Sequence, residues 1–159
     1  MILDKDEIDL GSVSKGKRLL GFDVGEKTIG VALSDALFMV ATPYILISRK
    51  KWMQDLEVIK KIISTENVYG VVIGLPLNMD GSEGPKCQSV RQFARNLLKE
   101  VDLPVIFWDE RLSTVAVTRT LLDADMSRAK RKDNVDKMAA SFILQGFLDS
   151  KRFRLSENQ

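Results

Sequence analysis

The sequence contains no histidine and one cysteine, Cys87. Without histidine there is no Ser-His-Asp triad, no imidazole general base and no His-ligated zinc site. A lone thiol rules out an intrachain disulfide and a thiolate metal cage. Any resident metal must therefore be held by oxygen ligands, which favours Mg²⁺ or Mn²⁺. Long hydrophobic runs are missing too. The longest, LFMVATPYILI (37–47), is too short and too interrupted to span a bilayer. The acidic N-terminus lacks the apolar core of a signal peptide. The expectation is a cytoplasmic protein with no membrane partner.

Charge of one sign is also scarce, at a net +2 over 159 residues. Its distribution is more informative than its sum. LDKDEID (3–9) is acidic, whereas SRAKRKDNVDK (127–137) and KRFR (151–154) are basic. Separated signs of this kind imply a local positive surface. With 45% hydrophobic and 29% charged residues, the chain has the make-up of one globular domain able to bury a sizeable core.

Residues 1–16 are polar and contain Gly11 and Gly16, so a loosely ordered acidic tail is expected before a single domain over 17–154. RLLGFDV, TIGVALSD and FMVATPYILI read as three strands joined by short turns, an antiparallel meander, with Pro43 placing the third at an edge or a bulge. The period then changes. Met53, Leu56, Ile59, Ile62 and Ile63 recur at helical spacing. YGVVIGL (69–75) has the continuous apolar character of a strand covered on both faces. A second helix follows from Cys87, then the strand PVIFWDE. STVAVTRTLLDAD is a third helix capped by Ser113 or Thr114, then a basic loop, and NVDKMAASFILQGFLD is the last helix. The order β-β-β-α-β-α-β-α-α predicts an α/β fold with a mixed five-stranded sheet, a meander plus βα units, and helices on both faces.

Three acids resist a purely structural explanation. Asp23 interrupts an apolar strand beside Gly25, and an unpaired carboxylate there is costly. It is either a metal ligand or a buried acid paired with a lysine or capping a turn. Glu110 stands at the carboxyl end of the fifth strand, where ligands of open α/β sheets collect. The alternative is a strand-end ion pair with Arg111, and Asp109 competes for the same role. Asp136 shares a helical stripe with Ala139, Ala140, Ile143 and Phe147. With Asn134 as N-cap it is also a plain first-turn acid favoured by the helix dipole. Three carboxylates from two strands and a helix can share one or two hard cations, as phosphodiester hydrolysis requires.

Candidate nucleic-acid contacts surround these acids. The loop GLPLNMDGSEGPK (74–86) exceeds the usual strand-to-helix connection and offers Asn78 and Ser82. Arg91 and Arg95 lie one turn apart on the following helix, and Arg111 follows Glu110. Arg128, Lys130, Arg131 and Lys132 precede Asp136 as a candidate phosphate clamp.

FDVGEKTIGVALSD, VVIGLPLNMDGSEGP, DERLST and VDKMAASFIL, in this order, resemble the YqgF/RuvX family of pre-16S rRNA nucleases, also described as Holliday-junction-resolvase-like. The resemblance covers about residues 18–150. It implies a ribonuclease-H-like fold and an acidic site at Asp23, Glu110 and Asp136. The implied role is maturation of the 5′ end of the small-subunit ribosomal RNA precursor. Branched DNA is the alternative substrate, and a non-catalytic nucleic-acid-binding module is the alternative of another class. Monomer and homodimer both remain open. An actin-like ATPase, which the Asp-x-Gly after the first strand also suggests, would need a second copy of the domain that this chain lacks.

Overall fold

A computed structural model of the chain describes residues 1–113 and 128–157, with side chains described outside 128–137 and 153–157. Six strands form one mixed sheet: β1 (Ile2–Leu3), β2 (Arg18–Val24), β3 (Thr28–Ser34), β4 (Ala41–Ser48), β5 (Val68–Leu75) and β6 (Val105–Asp109). Their spatial order is β1-β6-β5-β2-β3-β4. The expected meander is present, since β2–β3 and β3–β4 pair antiparallel. β5 then enters parallel to β2, and β6 parallel to β5. β4 lies at the edge, and its register slips where Ala32 pairs with Pro43 and Val31 with Ile45. Proline thus sits where its missing N–H costs least.

The sheet has one strand more than the five expected. Ile2–Leu3 pairs parallel with Val105–Ile106, and the N-terminal ammonium donates to the Leu103 carbonyl at 3.1 Å. Ile8 is 3% exposed and packs under the last helix. The polar N-terminal segment expected as a loose tail therefore lends the sheet an edge strand and the core one side chain. Two apolar residues among acids carry too little periodic signal to reveal a strand, because the partner edge supplies its stability.

The described helices are α1 (Trp52–Thr65), α2 (Pro85–Leu98) and α3 (Arg128–Glu157). α1 and α2 cover one face, where Leu56, Ile59, Val90, Phe93 and Leu97 meet Leu20, Phe22, Val31, Val71 and Ile73. α3 covers the other, with Ala140, Ile143, Leu144 and Phe147 against Leu19, Ala32, Val72 and Ile106. Each fully buried aliphatic or Phe side chain contributes about 1.5–3 kcal/mol. Leu19 and Leu20, adjacent in sequence, serve opposite cores, as strand alternation requires.

Two differences from expectation concern the last helix. The basic residues Arg128, Lys130, Arg131 and Lys132 lie within α3 and not in a loop. Asn134 consequently is not an N-cap, and Asp136 stands about two turns into the helix, whose first turn holds no acid. The explanation of Asp136 as a first-turn dipole acid falls with it. The basic run masked the helix because its charges hide the 3.6-residue period. The helix expected over 113–125 lies outside the described residues, apart from Ser113.

α3 approaches the sheet at glycines. A Cβ on Gly21 would lie 2.7 Å from Leu144 Cβ and 2.9 Å from the Ala140 carbonyl oxygen. Because one of these atoms is backbone, relief requires moving the helix. Gly21→Ala is expected to lower stability by about 1–3 kcal/mol in a denaturant titration with unchanged slope. A loss below about 0.5 kcal/mol would show that α3 can shift freely.

Candidate active site

The parallel strands β2, β5 and β6 deliver their carboxyl ends to one edge of the sheet. β2 ends with Asp23-Val24, and β6 ends at Asp109, where a single 3₁₀ turn (Glu110–Leu112) begins. Between them β5 presents Gly74, registered opposite Trp108 and next to Ile73, the partner of Phe22. Asp23 is two residues beyond Gly21, so alternation puts its side chain on the α3 face. Glu110 lies over that face as well. A Cβ on Gly74 would stand 2.8 Å from Glu110 Oε1 and would collide with Ile143 Cδ1. The glycine leaves the room in which the glutamate carboxylate rests.

Asp23, Gly74 and Glu110 line a cleft of about 1100 Å³ that opens over this sheet edge. One wall is the β2–β3 turn, with Gly25, Glu26, Lys27 and Thr28, together with Arg49 and Lys50 after β4. The lining also includes the start and exposed face of α2, with Lys86, Ser89, Gln92 and Asn96.

Arg49 holds the first wall together. Its backbone N–H donates to the Lys27 carbonyl at 2.8 Å, and its guanidinium donates to the Gly25 carbonyl at 2.7 Å and stacks 5.9 Å from the Phe93 ring centre. Asp55, 3% exposed in the first turn of α1, accepts the Lys50 N–H at 2.9 Å. Sequence reasoning missed Lys27, Arg49, Lys50, Asp55 and Lys86. They come from the β2–β3 turn, the stretch from Arg49 into α1 and the start of α2, and only the folded chain gathers these segments.

The sequence-derived acids fare as follows. Asp23 and Glu110 reach one cleft. Asp136 lies one helical turn before Ala140, whose carbonyl oxygen faces Gly21, and its side chain is outside the described set. Among the described residues no three acidic side chains gather as a metal cage. Asp109 does not compete for the cleft. Its carboxylate accepts from the Arg111 N–H at 2.9 Å and from the guanidinium at 2.7 and 3.1 Å. Arg111 thus pairs with Asp109 and not with Glu110, as the strand-end alternative supposed, and also donates to the Met79 carbonyl at 3.1 Å.

Asn78, Ser82, Arg91, Arg95 and Arg111 lie outside the described cleft lining. Asn78 donates to Ser82 Oγ at 2.9 Å, and the Ser82 hydroxyl donates to Asp80 at 2.6 Å, closing the turn on itself. Those hydrogen bonds hold the Asp80 carboxyl below the usual range. Arg91 makes a two-pronged pair with Glu83 at 2.6 and 2.9 Å, and its guanidinium lies 5.0 Å from the Phe107 ring centre. Arg95 donates to Gln92 at 3.0 Å. Arg128, Lys130, Arg131 and Lys132 are placed on the α3 backbone.

The donor chemistry fits a hard divalent cation. Two carboxylates, from β2 and from the end of β6 on either side of β5, line an open cleft, and the absent Cβ of Gly74 makes space beside Glu110.

The described architecture is ribonuclease-H-like. The fold is similar to that of T. thermophilus RuvC in complex with a Holliday junction substrate, with a TM-score of 0.54 at 10% identity, covering 85% of this chain and 96% of that one. A second T. thermophilus RuvC structure gives 0.52, covering 86% and 96%. A family model described as "RuvX: Holliday junction resolvase" matches residues 17–150, and the chain belongs to that family. A relative from Paramagnetospirillum magneticum is 56% identical over 142 residues, covering 89% of this chain and 92% of its own length. One from Zymomonas mobilis is 57% identical over 133 residues, covering 84% and 81%. Both carry the name "Putative pre-16S rRNA nuclease".

The Asp109–Arg111 pair has a pH signature. Hydrogen bonds from the Arg111 side chain, foremost, hold the Asp109 carboxyl below the usual aspartate value against the opposing effect of burial. A depressed folded value adds stability that is present above the unfolded value, near 3.9, and is lost as pH falls through the folded one. Asp109→Asn should therefore be less stable than wild type at pH 7, by up to about 1 kcal/mol. The gap should close as the solution is acidified below the usual aspartate range. Unfolding titrations between pH 7 and pH 2 measure it, and a pH-independent gap would assign the effect to something other than this carboxylate.

Proposed function

We propose that the protein is a divalent-metal-dependent nuclease that hydrolyses phosphodiester bonds during 5′-end processing of the small-subunit ribosomal RNA precursor. The observation that carries the reading is the convergence of Asp23 and Glu110, from β2 and the end of β6, on one open cleft beside Gly74. The names of relatives that are more than half identical support the ribosomal substrate. The matching family model's description favours a second reading, resolution of branched DNA, at the same site.

Asp23, Glu110 and Asp136 are the residues we assign to holding Mg²⁺ or Mn²⁺. α3 lies against β2 with Ala140 at Gly21, so one turn towards the start of the helix, about 5–6 Å, carries the Asp136 backbone along the sheet. Bound divalent ions supply Lewis acidity and an activated water for in-line attack on the phosphodiester. The chain's own residues do the rest. β2 pairs with β3 and β5 and so fixes Asp23 in position, with Gly30 as its cross-strand partner. The Arg49 contacts to Gly25 and Lys27 brace the turn that follows it. The cationic wall offsets the charge of an approaching phosphate backbone.

Purified protein should cleave a ribosomal precursor RNA with Mg²⁺ or Mn²⁺, and EDTA should stop it. Asp23→Asn and Glu110→Gln should each lose at least about a hundredfold in rate while unfolding at or above the wild-type temperature without metal, since each removes one of several like charges. Asp136→Asn should reduce the metal-induced gain in stability, which for wild type is about 2.7 kcal/mol at a hundredfold excess over Kd. Undiminished cleavage in excess EDTA would overturn the mechanism. Preferential cleavage of four-way DNA junctions over RNA would select the second reading.

A further inference from the structure

The cleft lined by Asp23 and Glu110 is lined by cations as well. Lys27, Lys50 and Lys86 all line it and are all exposed. They come from three separate segments: the β2–β3 turn, the link from β4 to α1, and the first turn of α2. Among the described residues none of the three makes an ion pair or a side-chain hydrogen bond. By contrast, Arg91 and Arg111, which the sequence also suggested for phosphate contact, are committed to Glu83 and Asp109. Arg49 adds a fourth positive charge, and its bond to the Gly25 carbonyl holds it at the cleft. Among the described residues that line the cleft, Glu26 is the one acid besides Asp23 and Glu110.

The position of these charges gives them a direction. The two carboxylates lie on the α3 face of the sheet, whereas Phe93, which lines the cleft from α2, belongs to the core of the opposite face. The cleft therefore passes over the carboxyl edge of the sheet, from acids on one side to a groove on the other. Lysines from three segments line it: Lys27 from the β2–β3 turn, Lys50 from the link after β4 and Lys86 from the first turn of α2. Along the same lining α2 contributes Ser89, Gln92 and Asn96, uncharged donors and acceptors suited to sugars and base edges.

We propose that this groove binds the sugar-phosphate backbone of the substrate strand on one side of the scissile bond, with Lys27, Lys50 and Lys86 contacting successive phosphates. The proposal rests on the nuclease reading of the adjoining carboxylates. It differs from the assignment of phosphate binding to the basic start of α3, a separate element of the chain. Contacts to backbone phosphates are independent of sequence and release counterions, so they are read in the salt dependence of binding.

The test uses the full chain with Lys27, Lys50 and Lys86 changed to alanine, singly and together. Lys61→Ala, an exposed lysine on α1 outside the cleft, is the control. Binding of a fluorescent single-stranded precursor RNA is followed by anisotropy across a salt series. The slope of log K against log[salt] should fall by about 0.7 per lost contact, hence by about 2 in the triple variant, and stay unchanged in the control. Shortening the RNA on one side of the cleavage point should weaken wild type several-fold and leave the triple variant nearly unaffected. Shortening the other side should weaken both alike. A triple variant that folds, shown by its unfolding temperature, yet keeps the wild-type slope would overturn the groove while leaving the nuclease reading intact. A wild-type protein that neither binds nor cleaves RNA or DNA would overturn that reading and the groove with it.

Discussion

The close seating of α3 on the sheet is the constraint from which the rest of the site follows. At Gly21 the helix comes so near that its own Ala140 carbonyl oxygen would touch an added Cβ, and at Gly74 it is Ile143 that fills the space. At Gly21, where the atom met is backbone, a side chain would have to displace the helix; at Gly74 it would have to displace Ile143 and Glu110 side-chain atoms. The same absence of a side chain at Gly74 admits the Glu110 carboxylate. One packing decision thus serves two ends: it closes the second hydrophobic core, and it leaves a polar recess at the sheet edge.

Around that recess the charges are sorted and not merely balanced. Arg111 and Asp109 satisfy each other and tie the loop after β5 to the end of β6, with Arg111 also reaching the Met79 carbonyl. Arg91 and Glu83 do the same for the start of α2. Such pairs contribute little stability apiece, but they take four charged groups out of the reckoning. Lys27, Lys50 and Lys86 stay available along the cleft, and Arg49 has one foot in each role, since it braces the β2–β3 turn while presenting positive charge to the groove.

Much of this was legible before any coordinates. The apolar RLLGFDV reads as a strand, the continuous run YGVVIGL as a strand covered on both faces, and Pro43 as an edge or a bulge; all recur in the structure. Asp23 and Glu110 stood out because a carboxylate at the end of an apolar strand is expensive without a task. Ile2–Leu3 did not stand out, because a two-residue strand is made by the edge it joins. Nor did the start of α3, where five charged residues over 128–133 conceal the helical period.

The amino-acid sequence by itself determined the class of chemistry. With no histidine and one buried cysteine, any metal-assisted step has to be run by carboxylates, whatever the fold. It also determined which segments are apolar enough to build the sheet. Tertiary structure decided which charges act together. Lys27, Lys50 and Lys86 are separated by 23 and 36 positions along the chain, and nothing local distinguishes them from other surface lysines. Arg91 and Arg111 look like phosphate ligands until their carboxylate partners are seen. The physical reason is that an ionic group's role depends on its neighbours within a few ångströms, and those neighbours are chosen by packing between distant segments, which residue order alone does not disclose.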